Sequence, residues 1–188
     1  MQDLLAKQAE EIASAHLADA LPVRWKHVQA VAHKAERLGA MLFDAEDARI
    51  LAAAAWLHDI GYAPGIADTG FHPLDGARWL QRNGFDERVV SLVAHHSYAR
   101  FEAEQRGMQD ALRSFPFEDG PVFDALLYAD MSTGPQGQDF EVAERLDEIV
   151  ARYGKDHVVT QFIERRKPSI LAAAERVKER LKQAAPTP

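Results

Sequence analysis

Histidines and aspartates recur along this 188-residue chain where a helical pattern would turn side chains inward: His27, the adjacent His58 and Asp59, His72, the adjacent His95 and His96, and Asp130. Residues spaced i, i+3, i+4 and i+7 share one face of a helix. Leu51, Ala54, Ala55 and His58 share such a face, and Ala52, Ala55, Trp56 and Asp59 share the adjoining one. Phe123, Leu126, Leu127 and Asp130 line up, as do Val89, Leu92, Val93 and His96, and Val23, His27 and Val31. Carboxylates and imidazoles therefore end apolar stripes that should face a core. An uncompensated charge in an apolar interior is very costly, so a buried carboxylate needs a partner. These stripes carry no Lys or Arg, and a divalent cation is the expected partner. Imidazole ligands favour iron, manganese, nickel or zinc over magnesium. The chain has no cysteine, which excludes disulfides, thiolate zinc sites and a cysteine nucleophile. His16 and His33 read as exposed helix residues, and His157 as part of a helix start.

Helices must position these groups. Periodicity near 3.6 residues predicts a first helix over 3–20 and a second over 22–38, opened by Pro22 and stopped by Gly39. Asp44 caps a third helix, 45–59, which Gly61 stops. Pro73 opens a fourth helix ending near Gly84, and Asp86 caps a fifth over 87–97. Residues 99–113 read as a polar helical excursion on the surface. Pro121 opens a helix to 131, the loop from Gly134 to Gly137 follows, and helices span 139–153 and 157–166. Pro168 opens a last helix to 184, and the tail Pro186-Thr187-Pro188 reads as frayed. The expected fold is all-α: a single bundle of about 8–10 helices over 1–188, with helices 139–184 packed on the rest.

Apolar residues make up 47% and charged residues 27%, near the norm for a globular chain. The net charge of −7 argues against a general nucleic-acid surface, which needs excess Lys and Arg. The opening residues lack the basic and apolar regions of a secretory signal, and the apolar stretch 50–57 is far too short for a membrane span. A cytoplasmic location without membrane association is the resulting expectation.

The order His27, His58-Asp59, Asp130 resembles the HD-domain superfamily of metal-dependent phosphohydrolases, and the string from Ala54 to Tyr62 (AAWLHDIGY) is similar to its HDIG motif. The resemblance covers about 22–132. It implies a helical bundle in which His27, His58, Asp59 and Asp130 hold one metal. Branches with extra histidines between the pair and the last Asp hold two, so the resemblance further implies Asp59 as a bridge, with His72 and one of His95 and His96 on the second metal. Periodicity favours His96. The string from Phe71 to Ala77 resembles the cyclic-di-nucleotide phosphodiesterase branch, but Ser97-Tyr98-Ala99-Arg100 replaces that branch's Gly-Tyr-Pro.

The implied activity is hydrolysis of a nucleotide or other small phosphate ester by a metal-activated water, with iron or manganese favoured and zinc, nickel or magnesium as alternatives. Arg24, Lys26 and Arg100 are the basic side chains expected to neutralise substrate phosphate, and Tyr62 is placed to hydrogen-bond a ligand or to pack. The alternatives are a di-iron oxygenase acting on a small alcohol or phosphonate, and a non-catalytic metal or nucleotide sensor.

Overall fold

The computed structural model describes residues 4–154 and 157–185. Among them the elements are α1 (Leu4–Leu17), α2 (Pro22–Leu42), α3 (Ala45–Leu57), α4 (His72–Arg82), α5 (Glu87–His95), α6 (Ala99–Gln105), α7 (Gln109–Leu112), α8 (Pro121–Met131), α9 (Val142–Tyr153) and α10 (Val158–Ala184). Short 3-10 turns at Ile60–Tyr62 and His96–Tyr98 follow α3 and α5. The all-α expectation holds. The tail 186–188 lies outside the described residues.

The centre of the fold is α3. Asp44 caps it, its carboxylate accepting from the Glu46 and Asp47 amides, and every residue from Ile50 to Leu57 is buried. A helix that is apolar all round must be covered on all sides. Here α1 and α2 cover it on one flank, and α5 and α8 also pack against it. The alanines at 52–55 let these neighbours come close.

Several helix ends shift by up to three residues, with α1 ending at Leu17, α3 at Leu57 and α5 at His95 and α9 starting at Val142, and three larger differences have a physical reason. Gly39 does not stop α2, which runs on to Leu42. It is buried where α2 crosses α3, and a Cβ there would lie 3.2 Å from the Ala48 Cβ; the glycine serves packing rather than termination. Pro168 does not open a helix but sits inside α10. A proline in a helix interior costs about 3 kcal/mol. Burial of Phe162, Ile163, Ile170, Ala173, Ala174 and Val177 along α10 offsets that cost. Residues 99–113 are not a surface excursion either: they split at Gly107, whose φ is 68°, and bury Ala99, Ala103 and Leu112.

The C-terminal helices are tied to the rest by Arg176, whose Nε and NH2 donate to the two Asp124 oxygens at 2.7 Å each. Asp124 is buried, so this charge-assisted pair satisfies a carboxylate on α8 that would otherwise be orphaned.

One close approach sets the site's geometry. A Cβ on Gly61 would lie 2.0 Å from the His72 carbonyl oxygen and 2.7 Å from the Gly76 amide. Only glycine lets the first turn of α4 rest on the turn after α3. Gly61→Ala is expected to cost about 1–3 kcal/mol, lowering the melting temperature by about 2–4 °C for each kcal/mol. Thermal unfolding of the variant checks this; an unchanged melting temperature would refute the close approach.

Candidate metal centre

Five helix ends or faces deliver the histidines and aspartates to one place. His27 is on α2, His58 and Asp59 follow the last turn of α3, His72 starts α4, His96 follows α5, and Asp130 is near the end of α8. His27, His58, Asp59, His96 and Asp130 are buried, and His72 is partly buried. Their ligand atoms form two trios, His27 with His58 and Asp130, and Asp59 with His72 and His96; within each, the atoms lie no more than 4.8 Å apart.

Backbone carbonyls orient three of the rings. His27 Nδ1 lies 3.1 Å from the Gly134 carbonyl, His58 Nδ1 2.7 Å from that of Ala55, and His96 Nδ1 2.7 Å from that of Val93. Each Nδ1–H donates outward, which fixes the tautomer and leaves Nε2 facing inward. His27 Nε2 is 3.1 Å from Asp130 Oδ1. His58 Nε2 is buried without a hydrogen-bond partner. His72 Nε2 and His96 Nε2 are 3.1 Å apart.

Asp59 joins the trios. Its Oδ2 is 3.4 Å from His58 Nε2 and 3.8 Å from His27 Nε2. Its Oδ1 is 3.3 Å from His72 Nε2 and 3.8 Å from His96 Nε2. Each oxygen thus faces a different set of imidazoles. Arg24 donates to Oδ2 at 2.8 Å and lies over the Tyr62 ring, 4.2 Å from its centre. Tyr62 in turn stacks on His72, with ring centres 3.9 Å apart.

Both carboxylates stay ionised. Burial opposes this for Asp59, but Arg24 and then His58 hold it well below the usual carboxylate range. Burial likewise opposes ionisation of Asp130, and the His27 hydrogen bond with the charge on His58 outweighs it. Burial pushes His72 well down and lowers His96 too, so both are neutral and have a lone pair free. Anionic oxygens, neutral imidazoles and an orphaned buried nitrogen together form a donor set that suits divalent transition metals.

The structure separates the adjacent histidines. Successive helical residues point about 100° apart, so only one of the pair can face the centre. His96 does; His95 instead turns its Nε2 to the Phe115 carbonyl at 2.9 Å and sets its ring edge-on to Phe117. Arg100 is not near the centre: it lines a separate hollow with His95, its guanidinium over Phe101 and Phe117. Lys26 is also outside the site, exposed one position round α2 from His27. Of the basic residues singled out by sequence, Arg24 alone lines the cavity at the centre, as does Tyr62.

The cavity's other cations are Arg145 and Arg152 of α9, which sequence reading missed. A signal was present for Arg145, since Val142, Arg145, Leu146 and Ile149 form one buried stripe, the pattern that singled out Asp130. Arg145 Nε donates to the Thr133 carbonyl at 2.9 Å. Ser97 was also missed. Its hydroxyl donates to Asp130 Oδ2, and it reaches there because Ser97 and Tyr98 take left-handed φ values of 54° and 57°. Such strain in residues other than glycine persists only where surrounding structure imposes it, and it clusters at functional sites. The loop after Asp130 contributes too, since the Gly134 carbonyl orients His27 and Pro135 lines the cavity.

A proton competes with metal here. Burial would lower the His58 pKa, but the charges of Asp59 and Asp130 raise it to about 9. The Ala55 contact commits Nδ1, so metal at Nε2 must displace that proton. Apparent affinity for manganese should therefore rise about tenfold per pH unit and level off above about pH 9. The raised pKa also stabilises the metal-free fold below the unfolded value of 6.5, a contribution lost as pH rises through about 9. Calorimetric titration in buffers of different ionisation heat counts the released proton. An affinity independent of pH would contradict this account.

Comparison with protein-family models matches residues 24–182 to the HD domain. No match is found among curated proteins or among solved structures. The match extends beyond the histidine and aspartate motifs, through α9 and most of α10. The helical bundle, the His58-Asp59 pair after its central helix and the extent of this match lead to one assignment: the chain belongs to the HD domain family.

Proposed function

We propose that this protein is a metal-dependent phosphohydrolase acting on a small phosphate ester, with a pair of divalent transition metals held by the two trios. The observation that carries the reading is the placement of Asp59, whose two oxygens face different sets of imidazoles. His27, His58 and Asp130 would hold one metal, His72 and His96 the other, and Asp59 both. Iron or manganese suits this mixture of imidazole and carboxylate best, with zinc, nickel or magnesium as alternatives. Such cations, when bound, supply Lewis acidity and make coordinated water acidic enough to act as a nucleophile near neutral pH.

The chain's own residues do the rest. Hydrogen bonds from the ring Nδ1 atoms keep His27, His58 and His96 aimed inward. The Ser97 hydroxyl holds Asp130 in place. Arg24, Arg145 and Arg152 line the cavity and offer positive charge to the phosphoryl oxygens. In the overall step the oxygen of water bonds to phosphorus and the bond from phosphorus to the ester oxygen breaks. The departing oxygen takes up a proton, leaving an alcohol and inorganic phosphate. These cations favour a phosphate or phosphonate over a neutral alcohol, and oxygen uptake separates hydrolysis of the one from di-iron oxidation of the other.

Protein loaded with manganese or iron should release inorganic phosphate from phosphate esters. Asp59→Ala should reduce that rate by more than about 100-fold, since even an outer partner of a metal ligand is worth about 10–100-fold, and should lower bound metal measured by mass spectrometry. No phosphate release, together with oxygen uptake by iron-loaded protein, would overturn the reading in favour of oxidation.

A further inference from the structure

Resting on the phosphohydrolase reading, we infer that the substrate is a phosphomonoester with a compact, apolar organic group rather than a nucleotide. The cavity has two unlike sides. One is the floor of histidines and carboxylates with Arg24 beside it. The other is apolar, built from Ala99, Met131, Ile149, Phe162 and Ile163, all of them buried. Most of this wall comes from α9 and α10.

Few polar side chains stand beside that wall: Tyr153, Arg145 and Arg152 line the cavity there, while Tyr62 stacks on His72 and the Ser97 hydroxyl is bonded to Asp130. A base presents donors and acceptors on its edge, and a buried site must answer them or lose the cost of desolvating them. Among the described residues lining the cavity there is no Asn or Gln. Glu102 lines it, and Arg106 donates to its Oε1 at 2.7 Å. Glu148 ties down both arginines of α9, bonding Arg145 and lying 3.1 Å from Arg152 Nε. Their charges are therefore held in place at the edge of the apolar wall, suited to the phosphate end of a ligand.

Size points the same way. The cavity measures about 140 Å³, well below the roughly 300–1,000 Å³ of pockets for drug-sized ligands. The phosphoryl group and any metals share that space with the organic group, so a single ring or short alkyl chain leaves less of the ligand outside the cavity than a ribose with a purine does.

The test uses the full chain loaded with manganese and compares phenyl phosphate, butyl phosphate and AMP. Phenyl or butyl phosphate should exceed AMP in kcat/KM by about tenfold or more, a contrast within the range that apolar pockets provide. Phenylphosphonate, which has no ester bond to hydrolyse, should bind more tightly than AMP by calorimetry. Phe162→Ala or Ile149→Ala should enlarge the apolar side and narrow the preference; circular dichroism shows which variant folds, and the parent protein's ratio decides the matter if neither does. AMP turned over as well as or better than the small esters would overturn this inference while leaving the phosphohydrolase reading intact. No turnover of any ester would remove the phosphohydrolase reading, and phenylphosphonate binding no tighter than AMP would overturn the preference for a compact apolar group.

Discussion

Two carboxylates, Asp59 and Asp130, are buried in the middle of an all-helical core, and much of the surrounding structure answers that burial. An ionised carboxylate away from water must meet positive charge and hydrogen-bond donors or cease to be ionised. Asp59 meets Arg24 and faces four imidazoles; Asp130 meets His27, His58 and Ser97. These groups come from α2, the ends of α3 and α5, the start of α4 and the end of α8, so helices that are distant in sequence must converge. Their arrangement leaves His58 Nε2 with no hydrogen-bond partner, which is where a metal would complete the balance.

Backbone geometry holds that convergence in place at a few specific points. Gly61 lets α4 rest on the turn after α3 and so brings His72 to Asp59. Left-handed backbone at Ser97 and Tyr98 turns the chain after His96 so that a serine hydroxyl reaches Asp130. The carbonyl of Gly134, in the loop after α8, orients His27 from the far side. Arg145 and Lys34 steady that loop, donating to the carbonyls of Thr133 and Ser132 at 2.9 Å each. A displacement at any of these points would move a histidine or aspartate out of its trio.

The C-terminal helices matter for a different reason. They contribute none of the histidine or aspartate groups at the centre, yet they supply the apolar wall of the cavity and two of its arginines. Their attachment through Arg176 and Asp124 on α8 therefore couples the shape of the binding cavity to the helix that carries Asp130. The donor groups and the apolar wall are thus placed on different segments, with the floor built by α2 to α8 and the wall chiefly by α9 and α10.

Much of this was legible in the sequence, because helical periodicity is a local property. It assigned the all-α class and placed His27, His58, Asp59, His96 and Asp130 on inward faces from residue spacing alone. Spacing could not say where an arginine's long side chain ends, so Arg100 and Lys26 were drawn toward a site that Arg145 and Arg152 occupy instead. Nor could it show that Gly39 and Pro168 lie inside helices, since burial against other segments outweighs their local preferences there. The residue types and the direction each faces are set along the chain. Which of them meet, which oxygen of Asp59 faces which histidines, and how much room remains beside them depend on how separate helices pack, and only the tertiary structure decides that.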